Sequence, residues 1–221
     1  DHNLPAKAGP STASSGNWLI EEEMNYNHSE LLLEAETDIS SLNDEQLATL
    51  YSIMDPVLDN RPGFFFLSGY GGTGKTYLWD VIIKYIRAHW KIVLSVASSG
   101  VASLLLPGGR TAHSRFKIPC ELDESSVCDI KRGTMLAELI EKTSLVIWDE
   151  AQMTHRAALE SLERSFRDLL SAHEPELKHI PFGGKVVVLG GDLRQILPVI
   201  QGGSRSQIVS ASITKSHLWS H

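Results

Sequence analysis

A glycine-rich segment of eight residues restricts the possible folds of this chain more than any other feature. Residues 69–76 read GYGGTGKT and fit the pattern G-x-x-x-x-G-K-[ST]. The segment lies between a short apolar run at 64–67 and apolar residues at helical spacing, among them Leu78, Ile82 and Ile86. A strand, a glycine loop and a helix in this order are typical of a phosphate-binding loop. A chance glycine turn before a helix would match only part of the pattern.

Each residue type in this loop has a chemical reason to be there. Glycines let the backbone wrap round phosphate groups with its N–H groups turned inward. The Lys75 ammonium neutralises charge on the outer phosphates, and the Thr76 hydroxyl suits a magnesium ligand. We therefore expect ATP and Mg²⁺ to be held by Gly69, Gly71, Gly72, Thr73, Gly74, Lys75 and Thr76.

Apolar runs and helical stretches alternate along the rest of the chain. Further candidates for buried strands lie at 92–96, 145–148 and 186–189, separated by helical stretches at 101–106, 134–142 and 156–171. Ahead of the loop, Asn43 and Gln46 have the spacing of a capping box, and the helical pattern after them runs to Pro56. Strands that alternate with helices predict an α/β fold, with a parallel sheet covered by helices on both faces.

Two carboxylates follow the strand candidate at 145–148. A phosphate-binding loop needs an acidic partner at the end of another parallel strand. We expect Asp149 to hold Mg²⁺, directly or through water, and Glu150 to polarise the attacking water. The alternative is that both acids only cap the helix that begins near Thr154.

The strand candidate at 186–189 opens into a polar loop that contains Gln195. A glutamine amide can donate to a phosphate and accept from water, so Gln195 is a candidate sensor of the γ-phosphate. Taken alone, Gln195 is better described as an exposed loop amide.

Four segments in order resemble the motifs of one family. The segments GYGGTGKT (69–76), ASSGVASLLLPGGRTAHSRFKIP (97–119), VIWDEAQM (146–153) and VVVLGGDLRQILPV (186–199) are similar to motifs one, Ia, two and three of Pif-family helicases in superfamily one. Helicase regions of Helitron-type transposable elements in plants are similar too. The resemblance implies a P-loop NTPase domain of the RecA-like kind at 41–221. Gln152 departs from the family, in which a smaller residue or proline is more usual.

The resemblance also implies two sets of binding residues. Gln46 corresponds to the glutamine that reads adenine, although its role as a helix cap is a competing explanation. The residues that correspond to single-stranded DNA contacts are Ser98, Ser99, Gly100, His113, Ser114, Arg115 and Phe116. Hydroxyl, glycine N–H and guanidinium groups suit phosphates, and an aromatic ring can pack on a base. The alternatives are a helix cap for Ser99, a partly buried histidine for His113 and a core position for Phe116.

The family acts as an ATP-dependent helicase that moves 5′ to 3′ on single-stranded DNA, in replication, repair, recombination or telomere maintenance. Residues 214–219 resemble the segment just before motif four, so we expect the second RecA-like lobe to lie outside this chain. The resemblance implies a monomer that acts in the nucleus, with the mitochondrion as the alternative. Two other readings remain open, which are a different P-loop ATPase or kinase and a nucleotide-binding module without useful turnover.

Composition limits the domain organisation. The 221 residues are 42% hydrophobic, enough for one core, and contain no run of eighteen apolar residues that would span a membrane. Cys120 and Cys128 have no metal-site spacing. Residues 1–40 carry eight acids and one lysine, whereas residues 41–221 carry nineteen acids and nineteen bases. We therefore expect a flexible acidic extension at 1–40, with a marginal helix within 17–40 as the alternative, and a neutral domain whose charge neither supports nor excludes DNA binding.

Overall fold

The fold is built on a five-stranded parallel sheet. A computed structural model describes residues 16–195 and 198–220. The strands are β1 (Gly63–Ser68), β2 (Ile92–Ala97), β3 (Arg110–Thr111), β4 (Thr143–Asp149) and β5 (Val186–Gly191), in the spatial order β1-β5-β4-β2-β3. The predicted α/β class is confirmed. β3 was not predicted, because two residues carry no periodic signal.

Helices connect the strands. They are α1 (Trp18–Met24), α2 (His28–Ile39), α3 (Asp44–Leu58), α4 (Lys75–Ala88), α5 (Gly100–Ser103), α6 (Ala112–Phe116), α7 (Met135–Lys142), α8 (Arg156–Leu170) and α9 (Arg205–Ala211). Among these described helices none is long and apolar enough to cross a bilayer. Short 3₁₀ turns lie at Ala151–Met153, Pro175–His179, Pro181–Gly184, Ile213–Lys215 and His217–Ser220.

Both faces of the sheet are covered, as predicted. Side chains alternate along β4, so that Val146 and Trp148 enter one apolar cluster while Leu145 and Ile147 enter the other. The first cluster includes residues of α6, α7 and α8, and the second includes residues of α3 and α4. This layering fixes the carboxyl ends of the strands at one edge, where loops can build a site.

Helix α3 continues past the proline that we expected to end it. Pro56 lies inside the helix, which ends at Leu58. The ring is buried, and the Asp59 N–H still donates to the Asp55 carbonyl over 3.0 Å. A proline this near the end of a helix removes one backbone hydrogen bond and leaves the last turn intact.

The expected flexible acidic extension is wrong for residues 17–40, which form α1 and α2. Asn17 and Asn27 cap these helices through their side chains. Ile20 and Ala35 are buried against the domain. Net charge misled the prediction, because the acids of this segment pair with bases elsewhere in the chain. Residues 1–15 lie outside the described part of the chain.

Candidate functional site

The phosphate-binding loop connects β1 to α4 as predicted. Gly72 and Gly74 both have a φ of +83°, a conformation that favours glycine. Gly74 is the N-cap of α4, and neither a capping side chain nor an acidic residue occupies the first turn of this helix. The first backbone N–H groups of a 14-residue helix are therefore left to an anion.

Lys75 folds back over this loop. Its Nζ donates to the carbonyl oxygen of Gly69 over 2.5 Å and to that of Tyr70 over 3.0 Å. No carboxylate in the described part of the chain forms an ion pair with it. A cation with only carbonyl partners keeps its charge available for phosphate. The Thr76 side chain beside it is exposed.

Gln46 lies beside the loop, and its predicted role as a helix cap is confirmed. Its Oε1 accepts from the Asn43 N–H over 3.2 Å, which completes a capping box for α3. Its Nε2 faces Gly74, where a β-carbon would lie 2.7 Å from it. Gln46 thus borders a cleft of about 390 Å³ together with the loop. Further lining residues of that cleft are Glu45, Thr49, Leu67, Ser68, Leu78, Asp192 and Arg194.

The acidic pair ends β4 at the same edge of the sheet. Asp149 is buried, and its Oδ1 accepts a hydrogen bond from the Trp79 indole nitrogen over 3.1 Å. Glu150 has a φ of +52°, and its carboxylate accepts from the Gln152 amide. The helix that the acids might have capped, α8, is capped by His155 instead. The capping alternative is therefore wrong for this pair.

Backbone hydrogen bonds tie the strand ends together. The Gly69 N–H donates to the Gly191 carbonyl over 3.2 Å, and the Ser98 N–H donates to the Asp149 carbonyl over 3.2 Å. The phosphate-binding loop, the end of β5, the acidic pair and the start of the β2–α5 loop therefore follow one another along this edge. Motifs far apart in sequence share one edge because the carboxyl ends of parallel strands meet there.

Gln195 is exposed and lies next to the phosphate-binding loop. A β-carbon on Gly71 would lie 4.0 Å from its Nε2. Its neighbour Arg194 hydrogen-bonds the Tyr70 hydroxyl and lies 5.2 Å from the centre of that ring. We did not predict Arg194, Tyr70 or the buried Asp192, although all three lie in motifs that we had identified.

Three predicted DNA contacts lie on the surface. Gly100, His113 and Ser114 are exposed beyond β2. Neighbouring groups still remove part of the water round the His113 ring, and this partial desolvation lowers its pKa, so the neutral imidazole is favoured. Ser99 is half-buried and caps α5 through its hydroxyl, as its alternative reading had it. Exposed apolar side chains that we had not singled out, Val101, Leu104 and Leu105, adjoin this surface.

The Ser98 hydroxyl is engaged inside the protein. It donates to the Glu150 carbonyl over 2.7 Å and accepts from the Trp148 indole nitrogen over 3.0 Å. A further contact of 2.7 Å joins it to the Thr154 hydroxyl. One hydroxyl has one donor and two acceptor positions, so this group is fully used. It is not available to a phosphate in this structure.

The structure contradicts the predicted DNA contacts of Arg115 and Phe116. Phe116 is 0% exposed and packs edge-on against Phe166, so its core alternative is right and its ring cannot reach a base. The Arg115 side chain is 4% exposed and is paired with Glu23. The pairing of Arg115 was not visible in the sequence, because Glu23 lies 92 residues away in a segment that we expected to be solvated.

Comparisons with known proteins show the family of this chain. The family profile for the PIF1-like helicase matches residues 41–221. An ATP-dependent DNA helicase Pif1 from Psychrobacter sp. is 33% identical over 144 residues, which are 64% of this chain and 20% of that protein. The ATP-dependent DNA helicase PIF4 from Trypanosoma brucei brucei is 33% identical over 147 residues, which are 64% of this chain and 17% of that protein. The chain thus spans about a fifth of the length of these curated relatives.

Solved structures are similar as well. The crystal structure of a Bacteroides Pif1 helicase in complex with ADP-AlF3 and ssDNA matches with a TM-score of 0.63 and 27% identity, over 80% of this chain and 39% of that one. Pif1 helicase from Candida albicans matches with a TM-score of 0.60 and 29% identity, over 81% of this chain and 37% of that one. The family match covers most of the chain and includes every motif of the site. This protein therefore belongs to the PIF1-like helicase family.

Proposed function

We propose that this chain is the ATP-binding and ATP-hydrolysing lobe of a helicase that moves 5′ to 3′ on single-stranded DNA. The observation that carries the proposal is the common sheet edge. The phosphate-binding loop, the pair Asp149–Glu150 and the exposed Gly100 lie along it in turn. The relatives named above are ATP-dependent DNA helicases, and one of the solved structures holds both a nucleotide complex and ssDNA.

The residues fit a nucleotide with a magnesium ion. Thr76 presents a hydroxyl and Asp149 a carboxylate, which are the hard oxygen ligands that Mg²⁺ prefers. When bound, Mg²⁺ neutralises charge that develops on the phosphates. Lys75 supplies a second positive charge to the outer phosphates, and the amide of Gln46 reads the base. Glu150 orients and polarises the attacking water, while Gln195 senses the γ-phosphate.

Turnover by this lobe alone is expected to be slow. The chain spans less than half of the solved helicases that it matches. In our proposal a second RecA-like lobe supplies an arginine to the same nucleotide, a contribution of about 10³ to 10⁵ in rate for such residues. Binding suffers less than hydrolysis, because the phosphate-binding loop belongs to this lobe. We further propose that the motor is a monomer.

Single-turnover ATP cleavage tests this function. The experiment measures phosphate formation by this chain with Mg²⁺, with and without an oligothymidine. Glu150→Gln should bind ATP as tightly as the wild type and cleave it about a hundredfold more slowly, in the range found for positioned proton acceptors. The matched control is Glu176→Gln, which changes an exposed acid on the 3₁₀ turn Pro175–His179, outside the nucleotide cleft.

The outcomes separate the parts of the proposal. If oligothymidine does not change ATP binding or cleavage, the coupling to DNA is wrong. If Glu150→Gln cleaves ATP at the wild-type rate, Glu150 does not orient the water. If neither ATP nor ADP binds to the folded chain, the nucleotide-lobe assignment itself is wrong.

A further inference from the structure

Residues 17–40, which we call the strap, lie outside the matched family region and carry an unusual charge. They contain seven acids and no lysine or arginine. The acids are Glu21, Glu22, Glu23, Glu30, Glu34, Glu36 and Asp38. The strap is nevertheless ordered as α1 and α2, so its charge must be compensated by other parts of the chain.

Glu23 is the buried centre of this compensation. Its side chain is 6% exposed and lies between two guanidinium groups whose side chains are each 4% exposed. Oε2 lies 3.3 Å from Nη2 of Arg87, and Oε1 pairs with Nη2 of Arg115. One carboxylate thus joins α4, which carries Arg87, to α6, which carries Arg115.

Further contacts connect the strap to residues 107–116, which include β3 and α6 and which we call the 107–116 loop. The Arg87 guanidinium lies 4.4 Å from the centre of the Tyr26 ring and donates to the Pro107 carbonyl over 3.3 Å. Arg110 on β3 donates to both oxygens of Glu22 over 2.9 and 3.1 Å. The segment 107–116 is therefore held directly by the strap at Arg110 and Arg115, and at Pro107 through Arg87 of α4.

The strap also forms ion pairs with α4, the helix that starts at the phosphate-binding loop. Nζ of Lys84 on α4 lies 3.0 Å from Asp38 and 3.3 Å from Glu34 of α2. At the other end of the strap, the Asn17 amide donates to the Met135 carbonyl and to Glu138 of α7, each over 2.9 Å. One segment thus contacts α4, α7 and the 107–116 loop.

We propose that Glu23 is a positioning residue for the DNA surface: it fixes the 107–116 loop, and with it His113 and Ser114, against α4. This inference rests on the proposed function, because it assumes that His113 and Ser114 face single-stranded DNA. The physical basis is the buried triad. Removal of one partner from a buried ion pair leaves an uncompensated charge, which the chain relieves only by opening the structure round it. Here α4 is packed against the sheet, and Ala112 and Phe116 are buried in the core, so the parts that can open are residues 107–111 and the exposed pair 113–114.

The experiment compares two adjacent acids of the strap. Glu23→Gln removes the buried charge, and Glu22→Gln removes an exposed one whose partner Arg110 is itself 40% exposed. Three readouts are needed: ssDNA affinity from the anisotropy of a labelled oligothymidine, affinity for Mg²⁺–ADP, and amide hydrogen exchange of residues 107–116. Glu23→Asp, which keeps the charge and withdraws it by one methylene, replaces Glu23→Gln if that variant fails to fold by circular dichroism.

We expect Glu23→Gln to weaken ssDNA binding about tenfold. A tenfold change in affinity corresponds to about 1.4 kcal/mol, and breaking a buried ion pair costs at least that much free energy. Exchange in 107–116 should rise, and Mg²⁺–ADP affinity should stay within about twofold, because Glu23 does not line the nucleotide cleft. Glu22→Gln should stay within about threefold of the wild type in all three readouts, because its exposed ion pair with Arg110 contributes about 0–1 kcal/mol.

Four results would overturn the inference. Tighter ssDNA binding by Glu23→Gln would mean that the strap masks Arg115 from DNA rather than positioning the loop. Faster exchange with unchanged ssDNA affinity would mean that the triad is structural only. Unchanged exchange would mean that Glu23 does not hold the loop. If the wild type binds no ssDNA, the DNA part of the proposed function fails, and the positioning role fails with it even where the exchange data still show a clamp.

Discussion

The indole nitrogen of Trp79 donates a hydrogen bond to Oδ1 of Asp149 over 3.1 Å, and both residues are buried. Trp79 lies on α4, one turn after the phosphate-binding loop, whereas Asp149 ends β4. The bond therefore connects the two halves of the proposed magnesium site through the protein interior. It also compensates a carboxylate that would otherwise lack a donor at that oxygen.

Trp79→Phe should weaken the magnesium dependence of nucleotide binding. The phenyl ring fills most of the space but cannot donate to Asp149, so the carboxylate is no longer held in one orientation. We expect a loss of about 1–3 kcal/mol in the free energy of unfolding, the usual penalty for an unsatisfied buried group. The measurement is ADP affinity at several Mg²⁺ concentrations. Trp90→Phe, at a residue that is 66% exposed, is the control and should leave the magnesium dependence unchanged.

Gly191→Ala should be tolerated only when Gln152 is shortened as well. The Gln152 side chain occupies the place where a β-carbon on residue 191 would lie, and it is 2% exposed, so it has little room to move. Gly191→Ala alone should lower the free energy of unfolding by about 1–3 kcal/mol, as overpacking does. The double variant with Gln152→Ala should recover part of this loss. Additive effects of the two changes in urea unfolding would show that the residues do not contact each other.

The sequence predicted the parts of this site that are contiguous. The phosphate-binding loop, the acidic pair and the four long strands each have a local signal, either a motif or a continuous apolar run. The cap at Gln46 was predicted because a capping box is itself a local pattern, whereas its role as the adenine-reading glutamine rests on the family resemblance and stays a prediction.

Long-range pairs were not predictable in the same way. Trp79 and Asp149 are 70 residues apart, and Arg115 and Glu23 are 92 residues apart. Residue type and spacing cannot show that an arginine in a predicted DNA-binding motif forms an ion pair with an acid from another segment. The negative charge of the strap led to the wrong prediction of a flexible segment for the same reason, because the bases that compensate this charge lie elsewhere in the chain.

Ile20→Ala should destabilise the domain although it lies outside the matched family region. Ile20 is 8% exposed and belongs to the same apolar cluster as Trp148 and Leu189. We expect a loss of about 2–5 kcal/mol in the free energy of unfolding, the range for such truncations in a core. Leu33→Ala, at a residue of the strap that is 68% exposed, should change stability by less than about 0.5 kcal/mol. Equal effects in thermal unfolding would mean that the strap is not part of the core.

Lys185 should make stability depend on pH in the alkaline range. Burial lowers its pKa from the ordinary 10.5 to about 8, and its Nζ donates to the Glu141 carbonyl over 2.6 Å. Between these two values the unfolded chain binds more protons than the folded chain, so this residue makes the folded state more stable as pH rises. Over the whole window the gain is at most about 3 kcal/mol. Below about pH 8 Lys185 is charged in both the folded and the unfolded chain, so the free-energy cost of burying its charge is present in full.

Lys185→Met isolates that contribution. Urea unfolding of the wild type and the variant at about pH 7.5 and about pH 9.5 gives two differences in free energy. The variant should gain more, relative to the wild type, at the lower pH, and the difference should shrink at the higher pH. A difference that does not change with pH would show that Lys185 titrates at its ordinary value.

Calorimetric titration of this chain with Mg²⁺–ADP and Mg²⁺–ATP, for the wild type and Lys75→Ala, tests the central claim most directly. Lys131→Ala, at a lysine whose side chain is 80% exposed, is the control. Lys75→Ala should keep its circular dichroism spectrum and lose about ten- to a hundredfold in affinity, the value of a charge-assisted hydrogen bond, while Lys131→Ala should bind like the wild type. Unchanged affinity in a folded Lys75→Ala variant would contradict the assignment of this cleft as the nucleotide site.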